Sequence, residues 1–350
     1  KTFTLLFFLS VFSCATPKSG KNRTDTQTSS DPVYTPGTYT GGNPFGVLVN
    51  AADVMPPGIN KKLSVAKELG VPYVRSTITL SGTPNLGEFN SLESNGFKVL
   101  LNVTYGKQME NGVTQKRAVP GANEMNAYRN ALSNALSTIK PEVVVIENEE
   151  ANMNYYEVDP DKYLVQLKNA IDVVHGKGLK VTNGGITCRI LTLLVYQDYR
   201  NRGMNQQAQD FAARCMPDDL KRDLPAMQYH KALANQVEIS RKLVEGYKNL
   251  PMDYVNFHWY EPVAERTQNN SPQNIQSVDM KAFKEAVDYL RRVTGKEVMT
   301  NEIGQLNQSS QIVQQMMQAV LEVKLPYAIW YSGDGGEGKA VAVNNGDGTL

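Results

Sequence analysis

The sequence predicts a (β/α)8 barrel, and three observations carry the prediction. Eight short apolar runs alternate with stretches of helical periodicity, the order expected of βα units around a parallel sheet. Most of the helical stretches close on Gly or Lys, as helix C-termini prefer. The fourth and seventh runs both end in Asn-Glu, at the end where such a barrel carries its chemistry.

Residues 1–13 precede any of this. A positive residue, an apolar run from Leu5 to Phe12 and small residues around Cys14 form a secretory signal too short to span a bilayer. The ending "VFSC" is similar to a bacterial lipobox, which would leave Cys14 lipidated after cleavage; an ordinary export signal is the alternative. Residues 14–43 are rich in Ser, Thr, Pro, Gly and Lys and poor in large apolar groups, so they read as a flexible tether. The expected location is therefore periplasmic or cell-surface, with membrane contact only through the anchor on Cys14.

The strands expected from residue 44 onward are "FGVLVNA" (45–51), "PYVRSTI" (72–78), "KVLLNVTY" (98–105), "EVVVIENE" (142–149), "KVTNGGI" (180–186), "YVNFHWY" (254–260), "EVMTNEI" (297–303) and "YAIWYSG" (327–333). Between them lie amphipathic stretches such as "DKYLVQLKNAIDVVHGKG" and "DMKAFKEAVDYLRRVTGK". The gap from Thr187 to Pro251 is abnormally long. It reads as an enlarged fifth βα region with extra helices on the active-site side, or as a small separate domain. It holds Cys188 and Cys215, which in an oxidising compartment would either form a disulfide or remain two buried thiols. After the eighth strand, "GDGGEGKAVAVNNGDGTL" stops where a closing helix should begin, which predicts that the gene continues.

Composition narrows the functional classes. The 350 residues are 41% hydrophobic and 20% charged, enough for one large core or two smaller ones. Net charge is +1, from 36 basic and 35 acidic residues, so no long-range field favours nucleic acid or an anionic surface. HExxH, CxxC, P-loop and GxSxG patterns are missing, and His175, His230 and His258 do not cluster in sequence. No cofactor or metal is expected, and the chain is expected to be a monomer.

The chemistry must then come from "VVVIENEEA" (143–151), where a buried run ends in Glu147, Asn148, Glu149 and Glu150, and from "EVMTNEIGQ" (297–305), with Asn301 and Glu302. "GANEMNA" is an internal control: Asn123-Glu124 opens a helix, where Asn caps and Glu favours the first turn. Only an Asn-Glu at a strand end carries the signal.

With these positions the chain resembles clan A of the glycoside hydrolases, (β/α)8 barrels with an Asn-Glu acid/base on strand four and a nucleophilic Glu on strand seven. The resemblance covers most of residues 44–333. It implies that Glu149 is the acid/base, Asn148 the partner of the sugar 2-hydroxyl and Glu302 the nucleophile. It further implies Arg75 beside the nucleophile, and His258, Tyr260 and Trp330 as substrate-side residues; "HWY" and the strand-eight Trp resemble glycoside hydrolase family 5, the cellulase family A. Where that family has a strand-three His, "LLNVTYG" offers Asn102, Thr104 and Tyr105, and the usual Pro after the strand-four Asn-Glu is Glu150. His258 serves as a structural or a substrate-side histidine, and Trp330 either packs or stacks on sugar. Trp259 should alternate away from the lumen into the core. Tyr105, Tyr155 and Tyr156 are subsite candidates.

Elementary chemistry supports the pairing. Hydrolysis with retention needs two carboxyl groups about 5 to 5.5 Å apart, one protonated and one ionised. Arg75 and Tyr260 would keep Glu302 ionised, leaving Glu149 to hold the proton. The expectation is a retaining glycoside hydrolase acting on an oligo- or polysaccharide, most readily a β-linked glycan. The alternative is a non-catalytic carbohydrate-binding barrel.

Overall fold

The structure, a computed structural model, describes residues 42–49, 56–106, 109–110, 113–114, 118–153, 159–216, 231–261, 277–306 and 309–332, with residues 116, 156, 221, 224 and 263. All belong to the unit Pro32–Leu350. The predicted signal, Cys14, the tether up to residue 41, Tyr155, His230 and the segment after Ser332 lie outside the described residues.

The elements run β1 (Phe45–Val49), α1 (Pro56–Leu69), β2 (Tyr73–Thr79), α2 (Gly87–Ser94), β3 (Lys98–Thr104), α3 (Met125–Ala135), β4 (Val143–Ile146), α4 (Pro160–His175), β5 (Val181–Asn183), α5 (Cys188–Asn201), α6 (Asn205–Cys215), α7 (Lys231–Lys248), β6 (Tyr254–Glu261), α8 (Lys281–Thr294), β7 (Glu297–Gln305), α9 (Ser310–Glu322) and β8 (Ala328–Ser332). Met109–Glu110 and Val113–Thr114 form a small antiparallel ladder after β3. The eight strands pair in parallel in the order β5-β4-β3-β2-β1-β8-β7-β6, the (β/α)8 arrangement the sequence predicts.

Local chemistry explains where elements start and stop. Asp159 caps α4, its carboxylate accepting from the N–H groups of Asp161 and Lys162, with Pro160 at the first helical position. Gly295 ends α8 at φ +68°, the left-handed conformation that costs glycine least. β4 and β5 are shorter than expected. Glu147 breaks extension at φ +67° and Gly185 does so at φ +120°.

The β1–β8 seam is paired through five positions, Phe45 with Ala328 to Val49 with Ser332. The β5–β6 seam is thinner. One bridge joins Ile186 to Phe257, and the side chain of Asn183 stands in for backbone pairing. Its Nδ2 donates to the Asn256 carbonyl at 3.0 Å and its Oδ1 accepts from the Asn256 N–H at 2.7 Å.

Apolar packing falls into two clusters. The larger lies between strands and helices; the smaller fills the N-terminal end of the lumen with Leu100, Val143, Met299, Tyr327 and Ile329. Tyr327 meets Tyr73 and Tyr254 edge-on, at 5.1 and 5.6 Å between ring centroids, and closes that end. Gly46 faces this inner cluster. A Cβ there would stand 2.5 Å from Ile329 Cδ1 and 2.6 Å from the Tyr73 carbonyl. Gly46→Ala is therefore expected to destabilise the fold by about 1–3 kcal/mol through overpacking, read as a lower denaturant midpoint; an unchanged midpoint would show that β1 yields freely.

The enlarged fifth βα region is present as α5, α6 and α7. Its first helix does not sit on the active-site side as expected. α5 packs on α6, α7, α8 and β6, in the outer helical layer, because its Ile190, Leu191, Leu194 and Val195 need an apolar partner that the polar mouth does not supply. Cys188 and Cys215 are two buried thiols rather than a disulfide. Cys215 Sγ donates to the Phe211 carbonyl at 3.2 Å, and burial raises its pKa far above the ordinary thiol value. No helix among the described residues is long and apolar enough to cross a membrane.

Candidate active site

The site is built by two departures from regular strand geometry. The first is a bulge in β7. Against β6, Asn256 pairs with Met299 but His258 with Glu302, so two residues on β6 span three on β7. Thr300 Oγ1 stitches the bulge, donating to the Glu302 carbonyl at 3.0 Å. The extra residue lets two neighbours, Asn301 and Glu302, both reach lumen partners, where alternation alone would allow one.

The second departure is at the end of β4, where Glu147 and Glu149 adopt φ +67° and +53°. For non-glycine residues this conformation costs about 1–2 kcal/mol each. It sends four consecutive polar side chains to four places. Glu147 is fully buried and accepts from the Tyr105 N–H (2.9 Å), Gln166 Nε2 (2.6 Å) and Tyr156 OH (2.9 Å). Asn148 Oδ1 accepts from Arg75. Glu149 turns to His258, and Glu150 to Asn183 and Tyr247. Gly184 lets the turn settle on β5: a Cβ there would lie 2.7 Å from Glu150 Oε2 and 2.8 Å from the Glu147 carbonyl carbon.

Glu302 and Glu149 face each other across the mouth. Arg75 Nη1 donates to Glu302 Oε2 at 2.8 Å and to the Asn301 carbonyl at 3.1 Å, while Nη2 donates to Asn148 Oδ1 at 2.5 Å. Tyr260 OH donates to Glu302 Oε1 at 2.6 Å. His258 Nδ1 lies 3.0 Å from Glu149 Oε1 and 3.7 Å from Glu302 Oε1, and Asn152 Nδ2 donates to Glu149 Oε2 at 2.7 Å. One carboxylate oxygen of each Glu and His258 Nδ1 all lie within 4.8 Å of one another. Among the described residues this is the one group of His, Cys, Asp and Glu close enough to share a cation. Arg75 already supplies the positive charge facing Glu302, and we assign no metal here.

The charges follow from these contacts. Burial alone would raise the Glu302 pKa, but the charges of His258 and Arg75, then the Tyr260 and Arg75 hydrogen bonds, hold it well below the usual carboxylate range. Burial likewise pushes His258 down, and the Glu302 charge with the hydrogen bond and charge of Glu149 overrules it, so its pKa is raised. Glu150 is buried behind the site with its pKa raised by desolvation.

Of the residues singled out from sequence, the fold brings together Arg75, Asn148, Glu149, His258, Tyr260 and Glu302. Asn102 is not at the mouth. It is fully buried, its Nδ2 donating to the Glu147 carbonyl at 3.2 Å and its Oδ1 accepting from Asn301 Nδ2 at 2.9 Å. Trp330 is not in the lumen either. Gly46 and Ile329 pair on the inner face, so the next pair, Val47 and Trp330, points outward, and the indole N–H donates to Gln305 at 2.6 Å. The lumen aromatic of β8 is Tyr331, half-buried and edge-on to Tyr260 at 6.2 Å. Trp259 is buried outward against Phe257 and Phe283, as alternation requires. Tyr105 and Tyr156 hold the β3 and β4 ends instead of offering free rings. Tyr105 OH donates to Glu124, which is tied to the Gly121 N–H in the turn before α3 instead of lying in its first turn.

Sequence reasoning named Asn102 and Asn301 but missed Asn183, Asn256 and the layer that all four form beneath the carboxylates, each fully buried. It also missed Gly185, where a Cβ would lie 2.3 Å from His258 Nε2. The one available signal was four asparagines recurring inside otherwise apolar strands.

No protein-family model matches the chain, and no curated protein matches it. Solved structures do. A GH5-4 broad specificity endoglucanase from Clostridium longisporum superposes with a TM-score of 0.50 at 11% identity, covering 85% of this chain and 82% of that one. One from Clostridium acetobutylicum gives 0.49 at 13% identity, covering 87% and 91%. A GH128 (subgroup II) endo-beta-1,3-glucanase from Pseudomonas viridiflava gives 0.47 at 12%, covering 87% and 93%. The likeness is one of fold. This chain is a (β/α)8 barrel.

Its site charges also set a stability window. Glu302, held below its ordinary 4.5, stabilises the fold above that value and ceases to as pH falls through its folded pKa. His258, held above its ordinary 6.5, stabilises the fold below that value and ceases to as pH rises through its folded pKa. Denaturant midpoints should peak between pH 4.5 and 6.5, and Glu302→Gln should flatten the acid side. A profile unaltered in that variant would remove Glu302 from the account.

Proposed function

We propose that this protein is an exported glycoside hydrolase that cleaves a glycan with retention of configuration, Glu302 acting as nucleophile and Glu149 as acid/base. One observation carries the proposal: two carboxyl groups from opposite walls of the mouth have oxygens within 4.8 Å, the close spacing retention requires. Their surroundings divide the labour. Arg75 and Tyr260 keep Glu302 ionised, as attack on an anomeric carbon demands. Glu149 stands on His258, a group able to exchange a proton with it. Asn148, its Oδ1 held by Arg75, is the residue placed by analogy against a sugar 2-hydroxyl.

In the first step a Glu302 oxygen bonds the anomeric carbon as the glycosidic bond breaks, its electron pair leaving with the oxygen that Glu149 protonates. In the second, Glu149 takes a proton from water, whose oxygen displaces Glu302. Export and lipid attachment at Cys14 belong to the proposal on the strength of the N-terminal sequence. A panel of glycans tests it, β-glucans first because an endoglucanase shares the fold. Release of reducing ends with the substrate's own anomeric configuration supports the proposal. Binding without cleavage across the panel would favour a carbohydrate-binding barrel, and an inverted product would refute retention.

A further inference from the structure

The amide layer beneath the carboxylates has only one self-consistent orientation. A backbone N–H can only donate, and that of Asn301 meets Asn256 Oδ1 at 2.9 Å. Asn256 Nδ2 is therefore the atom facing Asn301, and it donates to Asn301 Oδ1 at 2.6 Å. The other side closes the same way. Asn102 Nδ2 faces the Glu147 carbonyl at 3.2 Å, so Asn102 Oδ1 accepts from Asn301 Nδ2 at 2.9 Å. Asn301 thus turns its oxygen, not its nitrogen, to His258 Nε2 at 2.9 Å.

An oxygen there requires a proton on Nε2. When the ring is neutral, Nδ1 then bears a lone pair, and it stands 3.0 Å from Glu149 Oε1. That contact holds a single proton: on Nδ1 with Glu149 ionised, or on Glu149 with the ring neutral. We propose that Asn301 is a positioning residue that fixes the tautomer of His258, so that His258 Nδ1 and Glu149 share one exchangeable proton. The catalytic consequence rests on the glycosidase reading: the shared proton is the one delivered to the leaving oxygen and recovered from water. With the opposite tautomer, Nδ1–H would hold Glu149 as a carboxylate and the leaving group would depart unprotonated.

The charged groups facing this contact are Glu149 and Glu150 after β4, Glu302 on β7 and Arg75 on β2. Gly185 lies against the ring with no side chain. Among the described residues, Asn301 Oδ1 is the hydrogen-bond partner of His258 Nε2.

Nitrogen-15 NMR of the imidazoles, with His258→Gln to assign the signal, reads the tautomer without substrate. As pH rises, Nδ1 should be the nitrogen that loses its proton while Nε2 keeps its own; a neutral wild-type ring carrying the proton on Nδ1 overturns the proposal. Asn301→Leu should admit the Nδ1–H form, lower kcat on the order of 10²-fold with little change in KM, and shift the alkaline limb of the pH profile. Asn301→Asp, which keeps an oxygen facing Nε2, should restore the tautomer. An Asn301→Leu ring that remains Nε2–H would sink the assignment, and if that variant does not fold, the wild-type titration decides alone. Because no glycan enters the NMR measurement, an inert chain with the expected tautomer refutes only the proposed function, and an active chain with the other tautomer refutes only this inference.

Discussion

Glu302→Gln is expected to abolish turnover even of aryl glycosides whose leaving groups need no protonation. The amide keeps the shape but offers no anionic oxygen to the anomeric carbon, so no glycosyl-enzyme forms. The loss should reach about 10⁴-fold or more, the order seen when a covalent nucleophile is removed. The variant also leaves Arg75 facing a neutral group, with its Nη1 donation to Glu302 Oε2 weakened from a charge-assisted to an ordinary hydrogen bond. Azide filling the space of Glu302→Ala should attack directly and give the inverted glycosyl azide. Appreciable turnover by Glu302→Gln would end its assignment as nucleophile.

Glu149→Ala is expected to divide substrates by leaving group. An unactivated glycan should lose about 10²–10⁴-fold in kcat, the contribution of a positioned proton donor. An activated aryl glycoside should pass the first step and stall as the glycosyl-enzyme, because no base remains to activate water. Azide should then relieve the stall and give the azide of unchanged configuration. Results opposite to these in the two variants would mean that the roles are exchanged, and intact turnover in both would remove the glycosidase reading.

How much of this was legible in the sequence depended on how local each cause is. The strands were legible because a parallel strand covered on both faces is a continuous apolar run, as in Val143–Ile146, all four fully buried. The pairing of Glu149 with Glu302 followed from strand order, since strands four and seven stand across the mouth from each other. The bulge in β7 was not legible, because one extra residue leaves no mark on composition yet shifts the side chains beyond it. Trp330 stayed open between packing and stacking for want of a parity anchor; Ile329, paired with Gly46 and packed in the inner cluster, shows which face of β8 is inward. Asn102, Asn256 and Asn301 lie on three strands, the first and last of them 199 residues apart. No local pattern joins them, and barrel closure does.

The left-handed turns at Glu147 and Glu149 bear on how this protein would respond to selection for heat tolerance. Each non-glycine residue there holds the native state back by about 1–2 kcal/mol, comparable with a shift of a few degrees in Tm for a domain of this size. Glu147 is bound by three donors that would be stranded without it, Glu149 only by Asn152 and His258, so the more accessible gain lies at Glu149. A library sorted for survival at high temperature alone should accumulate glycine at position 149, and every such survivor should carry the same loss of about 10²–10⁴-fold toward unactivated glycans. Sorting for residual cleavage after heating should keep the glutamate and find its improvements elsewhere, in the outer helices.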